Sequence, residues 1–106
     1  MILIRINCPD PQTARAIAGA AVEKRLAACA NIEPAIRSVY RWQGALEEGE
    51  ETPLILKTRA ALFDAVAELA RGMHPDETPA ILAIPVAEAT PDFSAWLYAE
   101  TGAEPG

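Results

Sequence analysis

The feature that most constrains this chain is a long stretch, residues 36–58, that predicts one β-hairpin. Side chains alternate between two faces along residues 36–43, and a period of two is typical of a strand. The acidic run at residues 47–51 predicts the turn, and residues 54–58 predict the returning strand. A strand of about ten residues reaches roughly 33 Å, whereas a compact domain of this size has a radius of gyration of about 13 Å. We therefore expect the hairpin end that carries Trp42 to project beyond the core and to need a partner, most simply a second copy of the chain.

The length and composition predict one folded domain. The chain has 106 residues, of which 51% are hydrophobic, so a single core can form over residues 1–101, with residues 102–106 as a flexible tail. The net charge of −6 argues against nucleic acid and anionic membranes as partners, because both are bound mainly through Lys and Arg. No apolar run is long enough to span a bilayer, and the first residues do not resemble a signal peptide. With only Cys8 and Cys29 and no CxxC spacing, we expect a cytoplasmic protein with reduced thiols.

The order of elements predicts an α+β fold. Short strands, helices and the hairpin follow one another as βαββαβ, and a C-terminal helix beginning near Thr90 and Pro91 completes the chain. Asp10 and Pro11 predict the start of the first helix, and Thr58 is a candidate cap for the second. The near-continuous apolar run at residues 80–86 predicts a strand buried on both faces or in the centre of the sheet.

A weak internal repeat supports this order. Residues 2–6 recur as residues 54–58, and residues 28–32 recur as residues 80–84, both with an offset of 52. Two interleaved right-handed βαβ units form a ferredoxin-like sandwich, in which both helices lie on one face of a four-stranded sheet. The other sheet face is left bare, which is a second reason to expect a partner.

Four segments in a fixed order resemble one known family. They are residues 25–32 (RLAACANI), residues 38–44 (SVYRWQG), residues 54–58 (LILKT), and His74-Pro75 followed by Pro79. Together they resemble the CutA divalent-cation tolerance family, over residues 2–101. The resemblance implies a ferredoxin-like fold, a homotrimer built around the long hairpins, and an architecture similar to that of the PII signalling proteins. It also implies a link to tolerance of copper and other divalent metals.

The candidate metal ligands are His74 and Cys29. His74 is the only histidine, and an imidazole can bind copper or zinc or carry a proton; the alternative is a loop histidine that hydrogen-bonds the turn before Pro75. Cys29 lies in an apolar run, which favours a small buried side chain. Family members usually carry an aromatic residue after His-Pro and a glutamate after the second proline, where this chain has Asp76 and Ala80. Met73 is a soft side chain that helical spacing assigns to the core, while Asp76 and Glu77 can replace the missing carboxylate.

Other groups offer weaker alternatives. Tyr40 and Trp42 alternate with arginines as in an RNA-binding platform, but the net charge has the wrong sign and no RNP motif is present. We therefore interpret Trp42 as assembly surface. Residues 47–51 can chelate a hard cation, although a run of like charges is usually solvated. The Cys8 thiolate would be favoured by the nearby helix N-terminus.

Catalysis finds little support in the sequence. There is no Ser/His/Asp set and no phosphate-binding glycine loop. Acylphosphatases share the predicted topology and use an arginine and an asparagine; Arg5, Asn7 and Asn31 are present here, without an anion-binding loop. The sequence therefore predicts a non-enzymatic, cytoplasmic homotrimer of the CutA type that requires no cofactor and binds copper or another divalent cation weakly. The alternative is a PII-like regulatory module that binds a small molecule or a partner protein at subunit clefts.

Overall fold

The structure, a computed structural model, describes residues 1–102, so the predicted tail at residues 102–106 lies outside the described residues except for Gly102. Five strands and three helices follow the predicted α+β order. They are β1 (Ile2–Cys8), α1 (Pro11–Glu23), β2 (Cys29–Ile32), β3 (Ile36–Trp42), β4 (Ala45–Thr58), α2 (Phe63–Met73), β5 (Ile81–Pro85) and α3 (Pro91–Glu100), with a single 3-10 turn, Ala60–Leu62, before α2. No helix within residues 1–102 combines the length and hydropathy needed to cross a membrane.

The sheet has the strand order of a ferredoxin-like sandwich. Its strand order is β2-β4-β1-β5, and all neighbouring strands are antiparallel. Strand β3 pairs with residues 45–51 of β4. This order follows from two interleaved βαβ units. Helices α1 and α2 pack together over one face of the sheet. The predicted fold is therefore confirmed.

The core follows the alternation of the strands. Along β1, alternate residues from Ile2 to Cys8 are buried and those between them are partly exposed, so β1 presents one side to the helices. Helix α1 begins as expected, because the Asp10 carboxylate accepts a hydrogen bond from the Thr13 amide at 2.7 Å and Pro11 occupies the first turn. This hydrogen bond lowers the pKa of Asp10.

The hairpin turn is not where the acidic run predicted it. The chain reverses at Gln43 and Gly44, which have φ values of 49° and 82°, and a two-residue turn with positive φ at both positions suits the twist of a hairpin. The predicted turn at residues 47–51 is wrong: these residues lie in β4 and pair with β3, from Tyr40↔Glu47 to Ile36↔Glu51. Cross-strand pairing with positive and hydroxyl side chains accommodates the acidic run, as in the Arg37–Glu48 ion pair at 3.0 Å.

Strands β2 and β3 form one interrupted strand along a single edge of β4. The pairing runs from Ile32↔Leu54 to Ile36↔Glu51, so three residues face two at the Pro34 break, as in a β-bulge. On the opposite edge of β4, pairing with β1 stops at Cys8↔Thr52. Within the described residues, the β4 segment at positions 45–51 therefore has no ladder partner on that edge.

The shape confirms that the hairpin projects. The radius of gyration is 14.5 Å and the principal extents are 48 × 28 × 21 Å, compared with the roughly 13 Å expected for a compact domain of this size. The hairpin therefore adds length that its own core does not use.

Strand β5 is an edge strand, which corrects the prediction from its apolar run. Leu82 and Ile84 are 54% and 42% exposed on a strand that pairs only with β1 among the described residues. Only Ile81 of β5 packs against the core, and the other four residues of the strand are exposed. Composition alone therefore misplaced the strand. The bare sheet face predicted from the topology is thus apolar at this edge.

The remaining helices differ from expectation at their ends. Thr58 does not cap α2: it lies in β4, where its hydroxyl donates to the Leu26 carbonyl at 2.7 Å, and α2 begins at Phe63 without a side-chain cap. Met73 is 38% exposed rather than part of the core. In α3, Leu97 is fully buried, whereas Trp96 is 44% exposed.

Helix α3 is held to the domain by Arg59. Its guanidinium lies 4.8 Å from the centre of the Tyr98 ring and donates to the carbonyl of Thr101 at 2.9 Å. The Gly102 amide, at a φ of 101°, donates to the Arg25 carbonyl at 2.9 Å. These contacts fix the C-terminal end of the described chain.

Candidate functional site

A cleft of about 780 Å³ lies between the hairpin and the loop that follows α2. We call it the hairpin–loop cleft. The hairpin lines it with Ser38, Val39, Tyr40, Trp42, Gln43, Glu47 and Glu51, and the loop lines it with residues 75–78 and Ala80. Asn7, at the end of β1, lies between these two walls. The volume is within the range of small-molecule sites in proteins.

The cleft is acidic and aromatic. Its walls carry four carboxylates, from Glu47, Glu51, Asp76 and Glu77, and two aromatic rings; no lysine or arginine occurs among the described lining residues. Alternation explains most of this selection, because Ser38, Tyr40 and Trp42 share one face of β3. Val39, on the face of the arginines, is the exception among the lining residues of β3. The arrangement favours a positively charged ligand with some apolar surface.

His74 fastens the loop wall to the sheet. Its imidazole Nε2 lies 2.8 Å from the Asn7 carbonyl oxygen, and its Nδ1 lies 3.1 Å from the amide of Asp76. Because that amide can only donate and the carbonyl can only accept, the ring is the neutral tautomer with its proton on Nε2. The side chain is fully buried. In this chain, both ring nitrogens are therefore engaged in holding the start of the loop.

Asn7 is the residue to which the loop is fixed. Its carbonyl accepts from His74, and its amide donates to the carbonyl of Ala80 at 3.2 Å. Both ends of the cleft loop are thus bonded to the backbone of one residue. The side-chain oxygen Oδ1 of Asn7 is buried and has no hydrogen-bond partner among the described residues, which is uncommon for a buried acceptor.

The two candidate metal ligands lie in different parts of the sheet. Cys29 is opposite Lys57 on β4, whereas His74 bonds Asn7, which is opposite Pro53. Those two positions on β4 are four residues apart, or about 13 Å along the strand. Within residues 1–102, no group of three or more His, Cys, Asp or Glu side chains is placed to hold a metal ion. One subunit therefore does not bring His74 and Cys29 together.

The environments of the two cysteines are the reverse of those that the sequence favoured. Cys29 is only partly buried, while Cys8 is fully buried in the core. Burial, with added repulsion from Asp10 and Glu51, raises the pKa of the Cys8 thiol to about 11. The expected stabilisation of a Cys8 thiolate by the helix N-terminus is therefore wrong, because desolvation dominates.

The acidic run and Arg5, the other candidates, do not form a site of their own. The acidic run divides by alternation, so that Glu47 and Glu51 line the cleft while Glu48 pairs with Arg37. Arg5 forms an ion pair with Glu33 at 3.5 Å instead of binding an anion. No sequence pattern placed Ser38, Thr78 and the hairpin carboxylates in one cleft. The two-residue turn at Gln43 and Gly44, which sets the register of β3 against β4, is the signal that would have done so.

The structure thus defines a class: a ferredoxin-like α+β chain with a projecting hairpin and an acidic cleft beside it. The model of the CutA1 divalent ion tolerance protein family matches residues 2–100. The divalent-cation tolerance protein CutA of Thermus thermophilus is 42% identical over 100 residues, which is 94% of this chain and 97% of that protein. Its solved structure has a TM-score of 0.92 and covers 96% of this chain and 100% of its own.

Two further relatives extend the comparison. Protein CutA of Mus musculus is 41% identical over 96 residues, which is 91% of this chain and 54% of the mouse protein, so this chain spans about half of that relative. The periplasmic divalent cation tolerance protein CutA of Archaeoglobus fulgidus has a structure with 37% identity and a TM-score of 0.90, covering 94% of this chain and 98% of its own. The chain belongs to the CutA1 divalent ion tolerance family.

Proposed function

We propose that this protein works as a homotrimer in divalent-cation tolerance, by weak binding of copper or another divalent cation at its subunit interfaces. The observation that supports assembly is the open edge of β4 at positions 45–51. Beyond Cys8↔Thr52 this segment is paired only with β3 among the described residues. An unpaired edge of this length is a ready site for strand pairing with another chain.

A second surface supports the same assembly. Edge strand β5 exposes Leu82 and Ile84, and the hairpin exposes Val39 and Leu46, the latter at 71%. Because open edges and apolar surface occur on different parts of one chain, the favoured contact is between unlike surfaces of two copies. Such contacts close into a ring, and the family resemblance favours a ring of three.

The metal-binding part of the proposal depends on the assembly. Zinc and copper sites use several converging ligands, and His74 and Cys29 are apart in one chain. Cys29 is partly exposed, so copies of it can meet ligands of a neighbouring subunit. Nδ1 of His74 is available to a metal only after it releases the Asp76 amide, which favours weak binding.

Location and chemistry complete the proposal. We place the protein in the cytoplasm because Cys8 and Cys29 are both free thiols, which suits a reducing compartment. We also infer a non-enzymatic role. Arg5 and Asn31 both lie opposite Ile55 on β4, but Arg5 is paired with Glu33 and no nucleophile or general base accompanies them among the described residues, so they offer no catalytic set.

Light scattering of the purified full chain tests the assembly. We expect a mass near three times 11.3 kDa at micromolar concentration. Titration with copper or zinc followed by thermal unfolding tests the metal role. We expect concentration-dependent stabilisation that Cys29→Ser or His74→Ala reduces, with Cys8→Ala as the control thiol. A monomeric mass would contradict the first part, and equal metal effects in all variants would contradict the second.

The hairpin–loop cleft favours a second candidate function, that of a PII-like regulatory module which binds a small molecule. Its volume of about 780 Å³ and its unpartnered Asn7 oxygen are the supporting observations. A panel of metabolites in a thermal-shift assay distinguishes the two functions. Stabilisation by an organic compound without a metal effect supports the second candidate.

A further inference from the structure

The four carboxylates of the hairpin–loop cleft are spread along its walls and do not converge on one point. Glu47 and Glu51 lie four residues apart on β4, and Asp76 and Glu77 lie on the opposite wall. Within the described residues no three of them are grouped as metal ligands. A bare metal ion needs converging ligands, whereas a longer cation with separated charges matches carboxylates that are separated.

The aromatic rings of the cleft indicate an organic ligand. Tyr40 and Trp42 follow one another on the same face of β3 and line the same cleft as the carboxylates. Aromatic faces attract ammonium groups and also pack against methylene chains. A hydrated inorganic cation interacts favourably with the carboxylates alone. The aromatic rings therefore favour an organic cation with an aliphatic chain.

The Asn7 side chain favours a ligand that carries hydrogen-bond donors. Its Oδ1 atom is buried, accepts no hydrogen bond within residues 1–102, and belongs to a residue that lines the cleft. A buried acceptor without a donor is destabilising. Rotation of the Asn7 side chain toward the cleft brings this oxygen within reach of a ligand N–H, whereas a quaternary ammonium has no N–H to donate.

We propose that the hairpin–loop cleft binds a linear polyamine, with its ammonium groups on the spread carboxylates, its methylene chain against Tyr40 and Trp42, and one N–H donated to Asn7 Oδ1. This proposal rests on the second candidate function, small-molecule binding, and names the class of its ligand. It does not depend on metal binding.

Isothermal titration of the full chain with spermidine at low salt tests the proposal. We expect saturable binding that Glu47→Gln weakens by roughly three- to tenfold, since one charge-assisted contact is lost. Glu50→Gln is the matched control: it removes the same charge from the same strand, but Glu50 does not line the cleft. We expect its affinity to change by less than about twofold, because the remaining effect is long-range and screened.

Two further variants and two further cations test the chemistry. We expect Trp42→Ala and Asn7→Leu each to weaken spermidine several-fold; the bonds that Asn7 makes to the loop come from its backbone, so this variant keeps them. Tetramethylammonium and Mg²⁺ are expected to bind at least tenfold more weakly than spermidine. The mass of each variant is measured by light scattering, so that loss of assembly is separated from loss of binding.

Several results would overturn the polyamine site. They are an absence of saturable binding by spermidine, equal weakening by Glu47→Gln and Glu50→Gln, and equal affinity for Mg²⁺. A Glu47→Gln variant that dissociates into monomers would also overturn it, because the cleft would then be occupied by a second copy of the chain. If another metabolite binds while spermidine does not, small-molecule binding stands and only the ligand class fails.

Discussion

The two halves of strand β4 share one backbone but are held by different forces. In the near half, at positions 52–58, β4 pairs with β1 on one edge and β2 on the other, and Leu54 and Leu56 are fully buried. In the far half, at positions 45–51, it pairs only with β3 among the described residues, and Leu46 is 71% exposed. The near half is stabilised by hydrophobic burial. The far half has a hydrogen-bond ladder and exposed side-chain pairs such as Arg37–Glu48, which contribute little. The proposed assembly would therefore supply most of its stabilisation.

The largest expected effect comes from truncating one leucine in each half of β4. We expect Leu56→Ala to lower the free energy of unfolding by about 2–5 kcal/mol, because it leaves a cavity in the core. We expect Leu46→Ala to cost less than about 0.5 kcal/mol in a monomeric chain, because its side chain is exposed. Urea unfolding measures both.

The outcome for Leu46→Ala depends on concentration. If neighbouring subunits cover the far half of the hairpin, the cost of Leu46→Ala grows with protein concentration because dissociation is then part of unfolding. Leu56→Ala serves as the control, since its cost arises within one subunit. Equal costs for the two variants at every concentration would contradict the distinction between the halves.

The next largest effect concerns Cys8, at the junction of the two halves. The folded chain keeps the thiol proton up to a pKa of about 11, whereas the unfolded chain loses it near the ordinary cysteine pKa of 9.0. The folded state therefore binds more protons between these values, and stability falls as pH rises from 9 to 11. At 1.36 kcal/mol for each pH unit, the loss is on the order of 3 kcal/mol.

Cys8→Ala isolates this contribution. We expect the variant to be less stable at neutral pH. The slope of the unfolding free energy against pH, compared between wild type and variant from pH 9 to 11, reports the thiol alone. Denaturant unfolding at each pH gives the slopes. Parallel curves would show that burial does not hold the proton on Cys8.

His74→Ala tests the attachment of the cleft loop to the near half. The variant leaves the Asn7 carbonyl without its Nε2–H donor and removes the acceptor for the Asp76 amide. We expect a loss of about 1–3 kcal/mol from these buried groups. Faster hydrogen exchange at the amides of Asp76 and Asn7 than elsewhere in the chain is the accompanying measurement. A stability loss without faster loop exchange would show that His74 acts through packing alone.

The two halves of β4 also differ in how well the sequence predicts them. The near half was predicted well, because residues 54–58 repeat residues 2–6 and a helix-covered sheet imposes a period of two on buried positions. The topology followed from the order of elements, and the Asp10-Pro11 start of α1 followed from capping chemistry.

The far half and the site were predicted less well, for physical reasons. The acidic residues at positions 47–51 suggested solvated turn chemistry, but the turn is set by backbone conformation at Gln43 and Gly44 and not by charge. The position of β5 at the sheet edge depends on pairing between residues far apart in sequence. Similarly, no local pattern brings Asn7, the hairpin and the 75–80 loop to one cleft.

The smallest expected effect tests the turn that sets the hairpin register. Gly44 has a φ of 82° with open space around its Cα, whereas Gly49 lies within β4 at an ordinary φ and also has open space. Gly44→Ala should therefore cost about 1 kcal/mol through backbone strain alone, since a left-handed conformation disfavours a Cβ. Gly49→Ala should be neutral or stabilising by up to about 1 kcal/mol, because alanine loses less conformational entropy in a strand. Denaturant unfolding of the two variants compares them directly, and an equal cost at both positions would place the turn elsewhere in the hairpin and with it change which carboxylates face the cleft.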